Sequence, residues 1–509
     1  MLIPARTGAG AVDRSTPAQW PLRIEAETLI LAGVTILAAV LRFATITKQS
    51  YWLDEAQAAH ELHFSFGAML SAWNTNEWNP PLYFVLAWPW AKLFGIGEAG
   101  LRSFSAVIGV GVVPITYLCG RELVSRRAGL VAAAFAAVNP FMIWYSQEAR
   151  EYMLLVALSG LSILFFARAW KHPTGRRLTV WAVAAGLALL TQYFAAFLVA
   201  PEALALLYRA RNRYAAGAVG ALAVIEVALI PHAIPNLTRT APWIVGIPLS
   251  LRIQQVPVAF GMNTLYLGPA VSYGLLGAAA LAAIVIALLV IGAEGRQLRG
   301  SAVAAALAAA VLVVPILLAL VGHDDYIARG LVPGWIPLAV VIGAACTAAR
   351  ARLAGAVLAV VLLAMFLYTG AQIDGQARYQ RPDWRGVASA LGKPTGTRAI
   401  VAYDGQFASG PLSLYLPGAP WSGPGQRPVT EARVTVSEVD IVGSTSQQLT
   451  ELPAGAKLIG SSSVNGYKIV RIALASRWDL GSAAIGSRAA AILGPAPPDP
   501  TVVIQRPSA

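Results

Sequence analysis

Long runs of apolar residues, separated by short polar turns, dominate the pattern of the chain. The first run, Leu29 to Ile46, is long enough to cross a bilayer and follows a basic N-terminal segment, residues 1–27. This predicts a cytoplasmic N-terminus and an uncleaved first membrane helix. Ten further runs lie near residues 101–120, 128–145, 152–170, 177–192, 194–208, 215–235, 272–292, 301–321, 330–347 and 353–371. Residues 28–371 are therefore predicted to form about eleven membrane spans.

The composition supports a polytopic α-helical membrane protein. Hydrophobic residues make up 57% of the 509-residue chain and charged residues only 12%. Soluble proteins carry roughly a quarter charged residues, so this chain has too little polar surface to cover several water-facing domains. The same figures exclude disordered, collagen-like and coiled-coil classes.

The net charge of +13 is arranged for a membrane and does not indicate a nucleic-acid partner. Arginines and lysines fall in five small clusters between apolar runs, as the positive-inside rule requires of cytoplasmic loops. The clusters are Arg121, Arg126 and Arg127; Lys171, Arg176 and Arg177; Arg209, Arg211 and Arg213; Arg296 and Arg299; Arg350 and Arg352.

One apolar stretch, Pro81 to Gly97, would reverse this topology if it crossed the membrane. It is short, contains Pro89 and Lys92, and is rich in aromatic residues that suit the membrane interface. We therefore predict that it lies on the outer surface, which makes all five clusters cytoplasmic. The outer loops are then residues 47–100, 146–151, 236–271 and 323–329.

The chain becomes polar after residue 371 and is predicted to form an extracytoplasmic domain. Strand-like segments lie at Arg398–Tyr403, Ala432–Val442 and Tyr467–Ala473, with turn residues between them. Residues 372–475 are predicted to be a small α/β domain. Residues 476–509, which end in a Pro-rich stretch, are predicted to be a loose tail.

The first outer loop carries two adjacent acids, Asp54 and Glu55, directly after Tyr51 to Leu53. A predicted amphipathic interfacial helix follows, with Ala59, Leu62, Phe66, Met69, Leu70 and Trp73 on its apolar side and His60, Glu61, His63 and Asn74 on the other. Two explanations of the acids carry similar weight: Asp54 caps this helix, or Asp54 is a general base that accepts a proton from a hydroxyl nucleophile.

Two later outer turns also combine acids with a cation. Residues 144–152 contain Glu148 and Arg150, and residues 323–329 contain His323, two aspartates and Arg329. For residues 144–152 alone, an ordinary ion pair at a loop end is the preferred explanation. At residues 323–329, a single arginine in an outer loop runs against the positive-inside trend and favours an anion-binding role. Together, three distant turns with acids at one membrane depth suit a reaction between a lipid-linked phosphate and a hydroxyl, with a base on one side and a phosphate-binding cation on the other.

Two further acids, Glu202 and Glu226, fall within apolar runs and are expected to face the bundle interior beside a hydroxyl or amide. The sequence contains no Walker loop, dinucleotide fingerprint or zinc-ligand spacing. A nucleotide-sugar or ATP site is therefore not predicted.

Four motifs follow one another along the chain: Leu53 to Glu55, Asn79 to Tyr83, Glu98 to Arg102 and Tyr145 to Tyr152. In this order they resemble glycosyltransferase family 39, whose members are membrane enzymes of the C-type glycosyltransferase fold related to protein O-mannosyltransferases and the lipid A aminoarabinose transferase. Asp325 to Pro333 is a looser match to a later family element, and Arg381 to Ala388 is similar to the start of the outer domain in many bacterial members.

The resemblance implies transfer of a hexose or pentose, with inversion, from a polyprenyl-phosphate-linked donor to an acceptor hydroxyl on a glycan, lipid or protein. It implies Asp54 as the base, Glu55 as its support and Glu148 as a second site acid. Arg150 and Arg329 are implied phosphate contacts, and Asn79, Tyr83, Gln147 and His323 are further substrate-binding candidates. Some relatives use a divalent cation, but these residues do not establish one.

The expected location is a bacterial plasma membrane, with the active site on its extracytoplasmic face in contact with membrane lipid. A transporter or flippase is the main alternative, because many spans and buried Glu202 and Glu226 suit one. A catalytically inactive scaffold whose C-terminal domain recruits partners is a third hypothesis.

Overall fold

A computed structural model describes residues 26–237, 242–263, 268–403, 406–420, 430–444, 452–492 and 500–507. It consists of a helical bundle followed by a small domain built on a five-stranded sheet. In chain order the bundle helices are α1 Ala26–Phe43, α2 Leu53–His63, α3 Phe66–Asn76, α4 Leu82–Phe94, α5 Glu98–Leu123, α6 Arg126–Val138, α7 Pro140–Ser146, α8 Tyr152–Lys171, α9 Gly175–Leu189, α10 Ala196–Ala210, α11 Arg213–Leu237, α12 Pro242–Val245, α13 Leu249–Met262, α14 Gly268–Gly292, α15 Gly295–Leu320, α16 Trp335–Cys346 and α17 Arg352–Gly375. Short 3-10 turns, Tyr193–Ala195 and Ala328–Gly334, lead into α10 and α16.

The polytopic helical architecture expected from the apolar pattern is confirmed. Within the described residues, nine helices are long and apolar enough to cross a membrane. Seven are α1, α5, α8, α11, α14, α15 and α17, and the other two are α10 and α16, each counted together with its leading 3-10 turn. The run predicted at 128–145 forms α6 and α7, which are bent by 58°. The run predicted at 177–192 forms α9, which has only 15 residues. All eleven predicted runs are thus helical.

The bend between α6 and α7 has a local cause. Pro140 lacks an N–H group and its ring disfavours continuation of the preceding helix, so carbonyl groups of α6 are released. Asn139 caps α7 by accepting a hydrogen bond from the Met142 N–H at 3.1 Å. The buried Arg42 of α1 donates to the Ala136 and Ala137 carbonyls, at 2.9 Å each. The bend directs the chain into the polar turn at residues 147–151.

Contacts at the polar ends of the helices place the basic clusters together, as predicted. Arg126 pairs with Glu27 at 3.1 Å, Lys171 pairs with Glu122, and Arg350 pairs with Glu294 at 2.5 Å. Arg296 donates to the Glu122 carbonyl at 3.0 Å, and a Cβ on Gly175 would lie 3.2 Å from the Tyr214 ring. We call this the basic end of the bundle and the opposite one the site end.

The first loop lies at the site end and differs in detail from the prediction. It forms two helices, α2 and α3, where one amphipathic helix was expected, and α4 is a short apolar helix of 13 residues. The residue that caps α2 is Trp52, so Asp54 lies inside the first helical turn and the capping explanation is wrong. The negative charge of Asp54 is favoured there by the helix dipole.

Residues 376–507, which we call the outer domain, follow α17. Their elements are β1 Arg398–Ala402, β2 Val434–Ser444, β3 Lys457–Val464, β4 Tyr467–Leu480 and β5 Thr501–Gln505, with helices α18 Trp384–Leu391, α19 Gln406–Tyr415 and α20 Ser482–Ala490. The strand order is β3-β4-β2-β1-β5, in which β1 and β2 are parallel and the other pairs antiparallel.

The sheet corrects the prediction of a loose tail after residue 475. The end of β4, all of α20 and β5 belong to the domain, and β5 pairs with β1 from Thr501 to Gln505. All five residues of β5 are buried. The sequence signal was weak because β5 is only five residues long and follows a proline-rich stretch. Its pairing covers an otherwise open edge of the sheet.

Candidate active site

The predicted base, Asp54, is paired with the predicted phosphate contact, Arg329. Asp54 Oδ2 lies 3.0 Å from Arg329 Nη1, and the two side chains keep 22% and 23% of their surface exposed. The Arg329 guanidinium also lies over the Trp52 ring, 5.6 Å from its centroid. The structure therefore joins the start of α2 to the turn before α16 through one partly exposed ion pair.

Glu55 has a different environment from its neighbour because it is fully buried. Its two carboxylate oxygens accept hydrogen bonds from Arg102 of α5, at 2.7 and 2.6 Å. One of them also accepts from the Ala149 N–H at 3.0 Å. Burial opposes ionisation of Glu55, but the charge and hydrogen bonds of Arg102 prevail and lower its pKa. Glu55 thus fixes α2 against α5 and the 147–151 turn.

Glu148 is buried beside an arginine from the outer domain. Its Oε2 lies 2.7 Å from Arg381 Nη2, and the same guanidinium stacks on Trp144 at 4.2 Å. No hydrogen-bond partner for the Glu148 Oε1 atom is found among the described residues. Burial is the main cause that raises the pKa of Glu148 to about 7, against the opposing effect of Arg381.

Arg150 is engaged within a buried acidic cluster. Its Nη atoms contact both oxygens of Glu77 at 2.8 and 3.0 Å, and its Nε contacts Glu151 at 3.0 Å. Glu151 in turn accepts a hydrogen bond from Asn79 at 2.8 Å. Burial raises the pKa of Glu151. Arg150 thus holds Glu77 and Glu151 together, with Asn79 bound to Glu151, and its direct phosphate contact stays a prediction.

The remaining predicted site residues divide into internal contacts and an exposed loop. Gln147 donates to the Arg42 carbonyl at 3.0 Å and to Thr45 at 2.8 Å, so it ties the turn to α1. Tyr83 is buried, and its hydroxyl has no hydrogen-bond partner among the described residues. His323 is exposed, and no hydrogen bond or ion pair joins its side chain to the cluster in the part of the chain that the structure describes. The adjacent Asp324 pairs with Arg252.

Glu61, at the site end, was predicted to lie on the polar side of the interfacial helix, but the structure buries it. It is only 1% exposed, and its Oε1 accepts hydrogen bonds from Gln57 at 3.2 Å and from Asn76 at 3.4 Å. Burial first, and then the nearby Glu77 carboxylate, raise the pKa of Glu61 to about 8. Glu61 therefore faces other helices, whereas His63, predicted on the same polar side, is exposed.

Four partners of the predicted site were not identified as site residues from the sequence. They are Glu77, Arg102, Glu151 and Arg381. The last three belong to motifs that carry the family resemblance, and Glu77 lies two residues before the Asn79 motif. The available signal was charge inside an otherwise apolar chain, since a buried ion is stable only with a partner. That signal does not say which acid pairs with which arginine.

The two acids predicted within apolar runs, Glu202 and Glu226, lie on α10 and α11 of the bundle. Glu202 accepts hydrogen bonds from Ser162 at 2.5 Å and from the Trp181 indole at 2.8 Å, which joins α8, α9 and α10. Glu226 is half-buried on α11. Among the described residues, no group of three or more His, Cys, Asp or Glu side chains is placed to hold a metal ion.

Comparison with known proteins agrees with this architecture. Residues 78–237 match the family model described as dolichyl-phosphate-mannose-protein mannosyltransferase. No curated protein matches the sequence significantly. Two structures of ArnT from Cupriavidus metallidurans share the fold at 14% sequence identity. The match to the form bound to undecaprenyl phosphate covers 87% of this chain and 98% of ArnT, with a TM-score of 0.53. The match to the apo form covers 88% of this chain and 98% of ArnT, with a TM-score of 0.52.

These matches confirm the C-type glycosyltransferase fold expected from the sequence motifs. The family model matches residues 78–237, from the first loop to α11, and over that part the chain is similar to the mannosyltransferase family that the sequence motifs resemble. The chain is a multi-pass membrane protein of that fold. A fold by itself does not define the substrates, which depend on the side chains of the site.

Proposed function

We propose that this protein transfers a single sugar from a polyprenyl-phosphate-linked donor to an acceptor hydroxyl at the site end of the bundle. The observation that carries the proposal is the Asp54–Arg329 pair. It retains about a fifth of its surface exposed, whereas the pairs of Glu55, Glu148 and Glu77 are nearly inaccessible. A base and a phosphate-binding cation are thus adjacent and reachable, which is what the reaction requires.

In the proposed reaction, Asp54 accepts the acceptor's hydroxyl proton as the oxygen attacks the anomeric carbon. The bond between that carbon and the phosphate oxygen breaks on the opposite face, so the configuration inverts. The departing polyprenyl phosphate gains a negative charge, which Arg329 stabilises. No strong general acid is needed, because phosphate is a good leaving group.

The buried groups are proposed to organise this pair. Glu55 and Arg102 fix the first turn of α2, and Arg150 holds Glu77, Glu151 and the Asn79 segment in one cluster. Glu148 supplies a second carboxylate near Asp54. Tyr83 and His323 are proposed donor or acceptor contacts, at the buried and exposed margins of the site respectively.

The location follows from the arrangement of charge. The basic clusters share one end of the bundle and the site lies at the other, so the positive-inside rule assigns the site to the extracytoplasmic face. We propose a bacterial plasma-membrane location. The transporter alternative is less favoured, because Glu202 is occupied by Ser162 and Trp181 in a packing contact.

The test is release of polyprenyl phosphate by purified protein in lipid nanodiscs, with a panel of polyprenyl-phosphate sugars and a cell-envelope extract as the acceptor source. Asp54→Asn should reduce release by roughly 10²- to 10⁴-fold while donor binding persists. Asp479→Asn, a half-exposed aspartate of the outer domain, is the matched control and should behave as the parent. Equal release from the parent and Asp54→Asn would overturn the base assignment. No release from any donor would overturn sugar transfer itself.

A further inference from the structure

Arg381 is the point at which the outer domain enters the site. It follows α17 closely in sequence, yet its side chain is only 4% exposed. The guanidinium contacts Glu148 Oε2 at 2.7 Å, donates to the Gln147 carbonyl at 3.3 Å and stacks on Trp144 at 4.2 Å. Three features of the 144–148 segment are therefore fixed by one side chain from another domain.

Glu148 needs such a partner because its surroundings otherwise disfavour its charge. It is buried, and the carboxylates of Asp54 and Glu55 both repel it. Arg381 is the cation that contacts it directly among the described residues. The titratable and charged groups that act on Glu148 from the elements packed around it are Asp54, Glu55, Tyr83, Tyr145, Tyr152, Arg329 and Arg381.

The backbone of Arg381 and its neighbours is held to the loop that carries the proposed base. The Arg381 N–H donates to the Gln49 side chain at 2.9 Å, and Ser50 donates to the Pro382 carbonyl at 2.9 Å. Arg385 pairs with Glu98 and donates to the Thr47 carbonyl at 3.0 Å. Because residues 47–52 lead directly into α2, docking of the outer domain and placement of Asp54 depend on the same segment.

We infer that Arg381 is a positioning residue, supplied by the outer domain to fix the buried Glu148 carboxylate and to balance its charge. The site is then complete only while the outer domain is docked. This inference deepens the proposed function and rests on it for its catalytic meaning. The contact between Arg381 and Glu148 has a consequence that can be measured without any substrate.

The substrate-free test is an infrared pH titration of the protonated carboxyl band, assigned to Glu148 by its loss in Glu148→Gln. In the parent protein the Glu148 band should titrate with a midpoint that corresponds to a pKa of about 7. Arg381→Gln should move the midpoint upward by about one pH unit or more, because an opposite charge in contact with a carboxylate typically lowers its pKa by 1–3 units. Arg381→Lys keeps the charge and should give an intermediate midpoint.

Arg385→Gln is the matched control, since it removes a docking contact of the same domain without touching Glu148. Its midpoint should equal that of the parent. A midpoint unchanged in Arg381→Gln would overturn the inference, whatever happens to turnover. If Arg381→Gln is too unstable to purify, an unchanged Glu148 midpoint in Arg381→Lys together with parent-level donor turnover would likewise overturn it.

The same variants also separate this inference from the proposed function. Turnover by Arg381→Gln should fall further than turnover by Arg385→Gln. The acid limb of the pH–rate profile of Arg381→Gln should also move to higher pH, as its infrared midpoint does. A midpoint shift in Arg381→Gln, together with a parent protein that itself releases no polyprenyl phosphate from any donor, would support the Arg381 contact and overturn sugar transfer. Equal losses of turnover with no midpoint shift would make Arg381 a docking residue only.

Discussion

The Asp54 carboxylate lies 3.0 Å from the Arg329 guanidinium, although 275 residues separate the two in the chain. The pair joins the first interfacial helix to the turn before a late membrane helix. A partly exposed pair of this kind adds only modestly to stability, which leaves it free to serve the proposed reaction. In the proposed function Arg329 is both the counter-ion of Asp54 and the ligand of the donor phosphate. Arrival of the donor phosphate would therefore draw Arg329 away and free Asp54 to accept a proton, which is the basis of the first prediction.

Arg329→Gln should weaken donor binding more than it perturbs the fold. A charge-assisted hydrogen bond contributes roughly 1.5–3 kcal/mol, so donor affinity should fall by about tenfold to a hundredfold. Titration of polyprenyl phosphate into nanodisc-embedded protein measures this loss. Arg329→Lys should retain part of the affinity, and Arg378→Gln, an exposed arginine of the outer domain, should retain all of it. Parent-like affinity in Arg329→Gln would remove Arg329 from the donor site.

Glu55→Gln should destabilise the protein by about 3–5 kcal/mol, since it leaves the buried Arg102 guanidinium without its counter-charge. The measurement is the thermal unfolding temperature of the purified protein. Glu294→Gln is the control, because Glu294 and its partner Arg350 are 60% and 70% exposed, and such a pair contributes about 0–1 kcal/mol. Similar shifts in the two variants would show that Glu55 is not the structural anchor of α2.

Glu61 should make the folded protein less stable as the pH rises. The pKa of Glu61 is raised to about 8 in the folded state, first by burial and then by Glu77, from an ordinary value of 4.5. Between these values the folded state binds more protons than the unfolded state, so stability falls with increasing pH. The slope is at most about 1.4 kcal/mol per pH unit for a single group.

Glu61→Gln imitates the protonated side chain and removes this dependence. Thermal unfolding at pH 5 and pH 9 should show the variant close to the parent at the lower pH and more stable than the parent at the higher one. Glu294→Gln should follow the parent at both values, because its side chain is exposed. Parallel pH dependence in parent and Glu61→Gln would mean that Glu61 titrates normally.

Gly120→Ala should disrupt the crossing of α5 and α6. A Cβ on Gly120 would lie 2.6 Å from the Gly129 Cα, a distance that neither backbone can accept without moving. Gly111→Ala on the same helix is the control, since no atom lies within 4 Å of its added Cβ. Fluorescence-detected size-exclusion chromatography after heating should show loss of the folded peak for Gly120→Ala alone. Equal survival of both variants would contradict close packing at this crossing.

Much of the membrane architecture could be predicted because it depends on local properties of the chain. Each of the eleven predicted runs is helical, since about twenty apolar residues form a helix in a bilayer to satisfy their backbone groups. The basic clusters share one end for the same local reason. Segments that depend on distant partners were predicted less well: β5 is a five-residue strand that is stable only because β1 pairs with it.

The sequence by itself determined the class of fold, the loops that carry acids and most of the residues that gather at the site end. Only the tertiary structure decided how the charges pair: Asp54 with Arg329, Glu55 with Arg102, Glu148 with Arg381 and Glu77 with Arg150. The reason is physical. Helix formation and membrane insertion depend on neighbours a few residues away, whereas the environment of a buried ion depends on whichever distant side chain the packing of the helices brings into contact.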